Sequence, residues 1–508
     1  MSDDSFVGCQ LSKLAIGLCT LLLVGCGGDD AVPTVNLLGD GTPVQRTDSR
    51  PNVIFIFTDD QGFADVGANK AVSDIKTPHI DRLAASGVRM TNGYATAPQC
   101  TPSRAGLMSG RYQQKFGVDD NRYTPFPLSQ STIAERLVDA GYKTGIVGKW
   151  HLELNTNSSS WFNETYSPGS NASYNFANIP ASERVKYFPE NRGFQDTFFG
   201  TANNYRANFD LDANTIEATT IRNTRFRVDV ATDAAQAFIK RHQKDPFFLY
   251  VPYFAPHVPL EATAKHLSKF PGNMPERRRY ALAMMSAVDE GVGRIVESIK
   301  SYGLENDTII FFMSDNGAPM GMTMDDVLPV SNAAGVWNGS VNTPWVGEKG
   351  MLTEGAIRVP YIVSWKGTLP AGLVFDEPVM TLDASATALT VANADTSNID
   401  GVNLIPALTG NQSQMNRDIY WRFWNQAAIR NGKWKYIQAA ENKEYLFDLS
   451  TDAHETKNLM SQNLLLATSM KNRLTNWSQS LQRPGSTFTA LNRQEKLWYN
   501  FYFNNDGS

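Results

Sequence analysis

The chain has 508 residues, 42% of them hydrophobic and 19% charged, so it can bury at least one large core and has room for two or three domains. With no long charge block, low-complexity tract or internal repeat, it does not read as a disordered, fibrous or solenoid protein. A formal net charge of −5 argues against nucleic acid as the main partner, because phosphate binding leaves a basic patch or stripe; an anionic substrate must be met by local cations.

In chain order, the first signal is the apolar stretch Leu14 to Val24, too short for the ~20 residues of a membrane helix and suited to a signal-peptide core. Leu23, Val24, Gly25 and Cys26, followed by Gly27 and Gly28, resemble the lipobox of bacterial lipoproteins. That resemblance implies a leader over residues 1–25, acylation of Cys26 and a lipid-anchored protein exported to the cell envelope. Residues 26–50 read as the lipidated cysteine and a flexible tether, being polar and rich in Gly, Pro, Thr and Asp.

The fold is expected to begin near Pro51. Val53 to Thr58 has the apolar, β-branched and aromatic make-up of a strand buried on both faces of a parallel sheet. Helical patterns at Ile80 to Ser86 and Ser131 to Ala140, the latter with a serine at its start, precede a short strand at Lys143 to Val147. The unit recurs as a helix over Asp229 to His242 with a strand over Phe247 to Val251, then as a long helix over Pro275 to Tyr302 with a strand over Thr308 to Met313. Such alternation predicts an α/β body, a large mostly parallel sheet between helices, over residues 51–402. From 403 to 508 short aromatic segments at Asp418 to Phe423, Ala427 to Ile429, Trp434 to Gln438 and Tyr445 to Leu449 predict a small antiparallel sheet. A helix near Leu464 to Leu481 and an aromatic tail expected to pack on the body follow.

In open α/β sheets ligands bind beyond the carboxyl ends of the strands. Asp59 and Asp60 follow the first strand, Lys149 and His151 the second, His257 the third, and Asp315 with Asn316 the fourth. Any one of these pairs is an ordinary strand-end turn or cap; four together predict one polar site at one sheet edge. Three carboxylates and an amide oxygen are hard donors, suited to calcium or magnesium more than zinc. Cys9, Cys19 and Cys26 fall in the leader or at its cut, which leaves Cys100 alone in the mature fold. In an oxidising compartment cysteines normally pair, so Cys100 is either an inert buried thiol or a residue with chemistry of its own.

The segment CTPSRAGLMSGR from Cys100 to Arg111 resembles the signature of the formylglycine-dependent (type I) sulfatases, in the alkaline-phosphatase-like superfamily. Thr58 to Gly62 (TDDQG), Thr77 to Gly87, Gly148 to Leu152 (GKWHL), Ser314 to Gly317 (SDNG), Gly347 to Lys349 with Glu354 to Pro360, and Tyr445 to Leu459 match further segments of that family in order. Ala356 and Ala453 stand where the family often has glycine and proline. The resemblance implies that a maturation enzyme oxidises Cys100 to formylglycine, and that Asp59, Asp60, residue 100, Asp315 and Asn316 hold Ca²⁺. A hydroxyl of the hydrated aldehyde would attack sulfur, and the other would then expel sulfate. Arg104 and Lys149 would orient the diol, and Lys149 with Lys349 would neutralise sulfate oxygens. His257 is the candidate general acid and His151 the candidate base, the two roles being interchangeable on sequence grounds.

A phosphodiesterase or phosphonate monoester hydrolase of the same superfamily and a non-catalytic glycan-binding lipoprotein are the competing readings; the PSR core and the intact set of polar residues favour a sulfatase. The stretches around Cys100 and from Tyr253 to Ile295 resemble sulfatases of marine galactans, particularly carrageenans, which makes a sulfated polysaccharide the expected substrate. Its recognition is expected from loops at Asn155 to Asn178, Asn203 to Asn208 and Met320 to Val341.

Overall fold

The computed structural model describes residues 46, 48–122, 124–169, 172–201, 203–270, 272–328, 336–412, 415–482 and 489–503. The expected leader and Cys26 lie outside the described residues. At the far end of the expected tether, Arg50 is clamped, donating to both Asp48 carboxylate oxygens and, at 2.6 Å, to the Ala140 carbonyl.

Four strands form the centre of a ten-stranded sheet: Thr308–Ser314, Asn52–Asp59, Phe247–Pro256 and Lys143–Gly148 lie side by side and parallel. Every residue of Asn52–Asp59 and of Thr308–Ser314 is buried, as continuous apolar runs between two helical layers require. One layer packs Arg227–His242 and the 26-residue Glu276–Ser301 helix around Ile54, Ile56, Leu249 and Phe312. The other packs Ile133–Asp139, Cys100–Ser109 and Thr381–Val391 around Phe55, Phe57, Phe248 and Phe311.

The sheet is mixed at both flanks. Tyr361–Ser364 runs antiparallel to Thr308–Ser314, and Asp196–Thr201, Asn204–Phe209 and Thr215–Arg222 extend the other side as an antiparallel meander. The predicted loop at Asn203 to Asn208 is therefore mostly strand. Its alternating buried and half-buried side chains carry little apolar signal because the neighbouring Thr215–Arg222 strand is largely exposed. Two other boundaries move for local reasons. Thr132, not Ser131, caps its helix through a reciprocal capping box with Glu135, and the third central strand runs on to Pro256, which brings His257 directly to the strand end.

A separate four-stranded antiparallel sheet, Asp418–Phe423, Gln426–Asn431, Trp434–Gln438 and Glu444–Asp448, carries the Leu464–Gln479 helix on one face. Its other face meets the body through a buried charge cluster. Lys435 Nζ donates to Glu354 at 2.9 Å and reaches Glu455 at 2.8 Å, all three side chains being fully buried or nearly so. The aromatic tail is the helix Thr489–Phe503, and it packs: Trp498 lies against Gly350, where any Cβ would sit 2.3 Å from the indole, and Tyr502 donates to Glu348 at 3.2 Å.

One buried group outside the sheet edge sets a pH dependence. His266, 1% exposed, places Nδ1 3.3 Å from Ser286 Oγ. Burial, reinforced by Lys269 and Lys265 against Glu290, brings its pKa down from 6.5 to about 4. Between those values the unfolded chain binds a proton that the folded chain refuses, so the contribution is whole above pH 6.5 and is lost as the pH falls towards 4. Urea midpoints at pH 7 and pH 5 are expected to show about 2 kcal/mol less acid destabilisation in His266→Gln than in the parent; equal losses in the two proteins would refute the assignment.

Candidate active site

The Asp59, Lys149, His257 and Asp315 strand ends converge, and the Cys100–Ser109 helix points its first residue into them. The helix is buried over all ten residues, and Asn121 fixes its opening turn by accepting from Thr101 N at 2.9 Å while its own N–H donates to the Gln99 side chain at 3.0 Å. Gly148, at φ +128°, turns the second strand so closely over Pro252 that a Cβ would lie 2.2 Å from the Pro252 carbonyl oxygen. The following Lys149 N–H donates to that same oxygen at 2.8 Å, which commits its side chain to the cluster.

Cys100 Sγ, 1% exposed, is a free thiol 3.3 Å from Asp59 Oδ1 and 3.7 Å from Asp60 Oδ1. Lys349 Nζ donates to Asp60 Oδ1 at 2.5 Å and to the sulfur at 3.1 Å, and Lys149 Nζ donates to Asp59 Oδ2 at 2.5 Å. Arg104, wholly buried one turn beyond Cys100, donates to Asp315 Oδ2 at 2.7 and 3.1 Å and lies 3.5 Å from Asp59 Oδ1. Asp315 Oδ1 accepts from the Asp60 N–H at 3.0 Å. His257 Nδ1 is 2.5 Å from the Val258 carbonyl, which leaves Nε2 to face the cluster, 3.6 Å from Asp60 Oδ2.

These neighbours set the protonation states. Burial favours the neutral carboxyl of Asp59, but Lys149, His257, Arg104 and Lys349 together hold it well below the usual carboxylate range. Asp60 is likewise held down against its burial by Lys349 and His257. Asp315 goes the other way, to about 7, because burial and Asp59 outweigh Arg104. Burial, with Asp315 beside it, pushes the Cys100 thiol well up, so the unmodified sulfur is a protonated, poor nucleophile. Burial also lowers both histidines, His151 far more than His257.

Two buried polar atoms of the site have no partner among the described residues and so suit a bound group. Asn316 donates from Nδ2 to Asp60 Oδ1 at 2.6 Å, while its Oδ1, the atom a hard cation would take, has no partner among the described residues. His151, at φ +61°, holds Nδ1 buried and equally unpartnered. Asp59, Asp60, Cys100 and His257 offer ligand atoms within 4.8 Å of one another. The donors thus fit a divalent cation held by the Asp59 and Asp60 carboxylates, with Asn316 Oδ1 available by an amide rotation. Asp315 stands at the same edge, with its carboxylate directed to Arg104 and the Asp60 N–H.

The expected catalytic and metal-binding residues therefore lie at one place, while Cys26 is outside the described residues. Sequence reasoning missed their supports. Tyr250 places its hydroxyl 3.5 Å from Arg104, Asn338 donates to the Asp60 carbonyl at 3.1 Å, and Arg227, from a helix remote in sequence, donates to the His257 carbonyl at 3.2 Å. Arg227 and Lys149 both lie over the Phe254 ring. None of the three sits in a motif or directly after a strand.

The family model for sulfatases matches residues 51–402. The chain belongs to the sulfatase family. A second model, N-sulphoglucosamine sulphohydrolase, C-terminal, matches residues 345–480 of this sulfatase. It is 31% identical to N-acetylgalactosamine-6-sulfatase of Canis lupus familiaris over 76% of the chain and 71% of that protein, and 30% identical to arylsulfatase A of Bos taurus over 81% and 84%. Against arylsulfatase J of Mus musculus the identity is 33% over 68% of the chain, but the match spans only about half, 53%, of that relative's length. Among solved structures it is similar to Ps i-CgsB in complex with k-i-k-neocarrahexaose, with a TM-score of 0.71, 29% identity, and 88% of this chain and 98% of that one covered. A phosphonate monoester hydrolase of Agrobacterium radiobacter, 18% identical at a TM-score of 0.61, shares the fold.

Proposed function

We propose that this sulfatase removes sulfate from a sulfated galactan, with carrageenan as its substrate, using formylglycine made from Cys100 and a bound Ca²⁺. The observation that carries the reading is the convergence of Lys149, Lys349 and Arg104 on a buried Asp59, Asp60 and Cys100 cluster at one strand edge. The similarity to Ps i-CgsB, whose structure holds a neocarrahexaose, supports the galactan. A formylglycine at position 100 would supply, as its hydrate, a hydroxyl nucleophile for sulfur and a second hydroxyl whose deprotonation would release sulfate and restore the aldehyde. A Ca²⁺ would be held by Asp59, Asp60 and Asn316, with Asp315 at the same edge, and would supply charge neutralisation for the sulfate oxygens.

The chain's own side chains account for the remaining work. Lys149 and Lys349 flank residue 100 on opposite aspartates, where both can draw in an anionic ester and offset the charge that builds on its oxygens. His257 Nε2 would be placed to protonate the departing sugar oxygen, and His151 Nδ1, buried and without a partner among the described residues, would take the proton from the second hydroxyl. A maturation enzyme for Cys100 and a lipid anchor at Cys26 complete the proposal; the lipobox-like sequence supports envelope attachment, with residues 51–402 as the catalytic domain and 403–508 as its companion. The phosphonate monoester hydrolase reading has only shared fold behind it.

The test is release of sulfate from κ- and ι-carrageenan oligosaccharides by the matured protein. Removal of divalent cations with a chelator is expected to suppress release at least tenfold, and Ca²⁺ to restore it better than Zn²⁺; retention of full activity in a protein shown by elemental analysis to be calcium-free would refute the metal assignment. A second expectation concerns Arg227. Its loss frees the His257 turn, so Arg227→Ala should lower kcat roughly 10²-fold on a sugar sulfate, whose leaving oxygen needs a proton. An aryl sulfate with an acidic phenol should be nearly unaffected, and equal losses on both substrates would show that Arg227 does not act through the acid.

A further inference from the structure

Beside the site lies a cleft of about 420 Å³ that none of the steps above uses. Its walls come from three places: Phe116 to Gln130, the turn carrying Trp161 and Glu164, and Tyr187, with Gln482 at the rim. Its volume falls in the range of small-ligand sites, and its floor is built in advance. Arg192, 2% exposed, fixes the Phe116 to Gln130 wall by donating to the Phe126 carbonyl at 3.2 Å and the Pro127 carbonyl at 3.5 Å. The indole of Trp161 donates to the Tyr187 hydroxyl at 2.9 Å, and the two rings meet edge to face.

The cleft is joined to the active site at two points. Phe126, between two lining prolines, donates its N–H to the Leu152 carbonyl at 2.9 Å, one residue beyond His151. Asn121, whose side chain fixes the residue after Cys100, lies three residues from both Val118 and Thr124 of the lining. Three residues span at most about 11 Å, so the cleft begins within a few sugar lengths of the reacting centre.

The lining chemistry identifies the guest. Phe116, Trp161 and Tyr187 offer apolar ring surface, while Gln130, Glu164 and Gln482 offer amide and carboxylate groups around it. A pyranose presents the complementary pair, a face of C–H bonds and an edge of hydroxyls. No lysine or arginine is among the described lining residues, and their one charge is the exposed carboxylate of Glu164; Arg111 donates to the Gln130 side chain at 2.7 Å, so the lining itself suits an uncharged ring better than a sulfated one. The contrast with the lysine-flanked Cys100 site is one of charge sign.

We propose that this cleft is a second carbohydrate subsite, which holds a sulfate-free sugar ring of the same chain whose sulfate ester lies at Cys100. The inference rests on the galactan reading and adds to it a preference for chains in which sulfated and unsulfated rings alternate. The experiment measures kcat/KM for an aryl sulfate and for neocarrageenan oligosaccharides of two, four and six rings, with alternate rings or all rings sulfated. For the parent enzyme, lengthening the alternating series should raise kcat/KM about tenfold, and the fully sulfated series should gain little. Trp161→Ala should erase the gain with length through KM and leave the aryl sulfate unchanged. Ser129→Trp, which fills the cleft from an exposed position of its lining, should do the same and guards against a folding defect in the first variant. A gain with length that survives both substitutions, or no gain in the parent, overturns the subsite while leaving the galactan reading intact. Hydrolysis of the aryl sulfate with none of any oligosaccharide overturns both.

Discussion

Cys100→Ala is expected to abolish sulfate release, with a fall in kcat on the order of 10⁴ to 10⁶, the scale on which nucleophile deletions act. The reason lies in what surrounds the sulfur. The parent thiol is buried, faces Asp59, Asp60 and Lys349, and is pushed up in pKa by burial and Asp315, so it cannot itself act as a thiolate. On the proposed reading the chemistry comes from what position 100 becomes. Mass spectrometry of the peptide spanning residue 100 should show conversion of thiol to aldehyde in active preparations, and specific activity should rise in proportion to the converted fraction. Active protein in which that peptide retains an unmodified cysteine throughout would refute the formylglycine proposal. Because alanine leaves the helix start and the Asn121 contact in place, the variant should keep the parent's unfolding midpoint, which separates a chemical loss from a structural one.

Arg104→Ala is expected to damage stability as well as activity. Arg104 and Asp315 are both fully buried and joined by two hydrogen bonds, with Asp59 3.5 Å away on the same guanidinium. Deleting the cation leaves carboxylates without their partner in a site that excludes water, a loss of about 3 to 5 kcal/mol for a buried pair. The variant should therefore unfold at markedly lower denaturant concentration. Arg104→Lys should recover only part of the stability, because an ammonium cannot reproduce the side-on approach of Nε and Nη2 to one carboxylate oxygen. A wild-type midpoint in Arg104→Ala would mean that the pair is offset by its own desolvation and is held for catalysis alone.

The part of this molecule that could be read from its residues is the part where chemistry and burial coincide. The runs around Val53, Phe247 and Thr308 are apolar because they are covered on both faces, and the polar residues that follow each run stand out against them. That contrast located Asp59, Asp60, His257, Asp315 and Asn316 before any coordinates. The antiparallel meander from Asp196 to Arg222 gave no such contrast, since its outer strand is exposed on both sides. Arg227 and Asn121 were illegible for a different reason. They act through a few contacts with residues 20 or more positions away, and contacts of that kind leave no period in the sequence. The left-handed backbone at His151 was hidden too, because histidine does not announce it as glycine would.

The distance along the chain between Cys100 and Lys349 is 249 residues, yet the two side chains touch in the finished molecule. At ribosomal rates of about 5 to 20 residues per second, position 100 is made roughly 10 to 50 s before the lysine that closes over it. The Trp498 that seats Gly350, beside that lysine, comes later still. On the formylglycine reading, a residue that ends 1% exposed is open to its modifying enzyme during a translational interval, and the speed of synthesis becomes a control on how much of the protein is ever active.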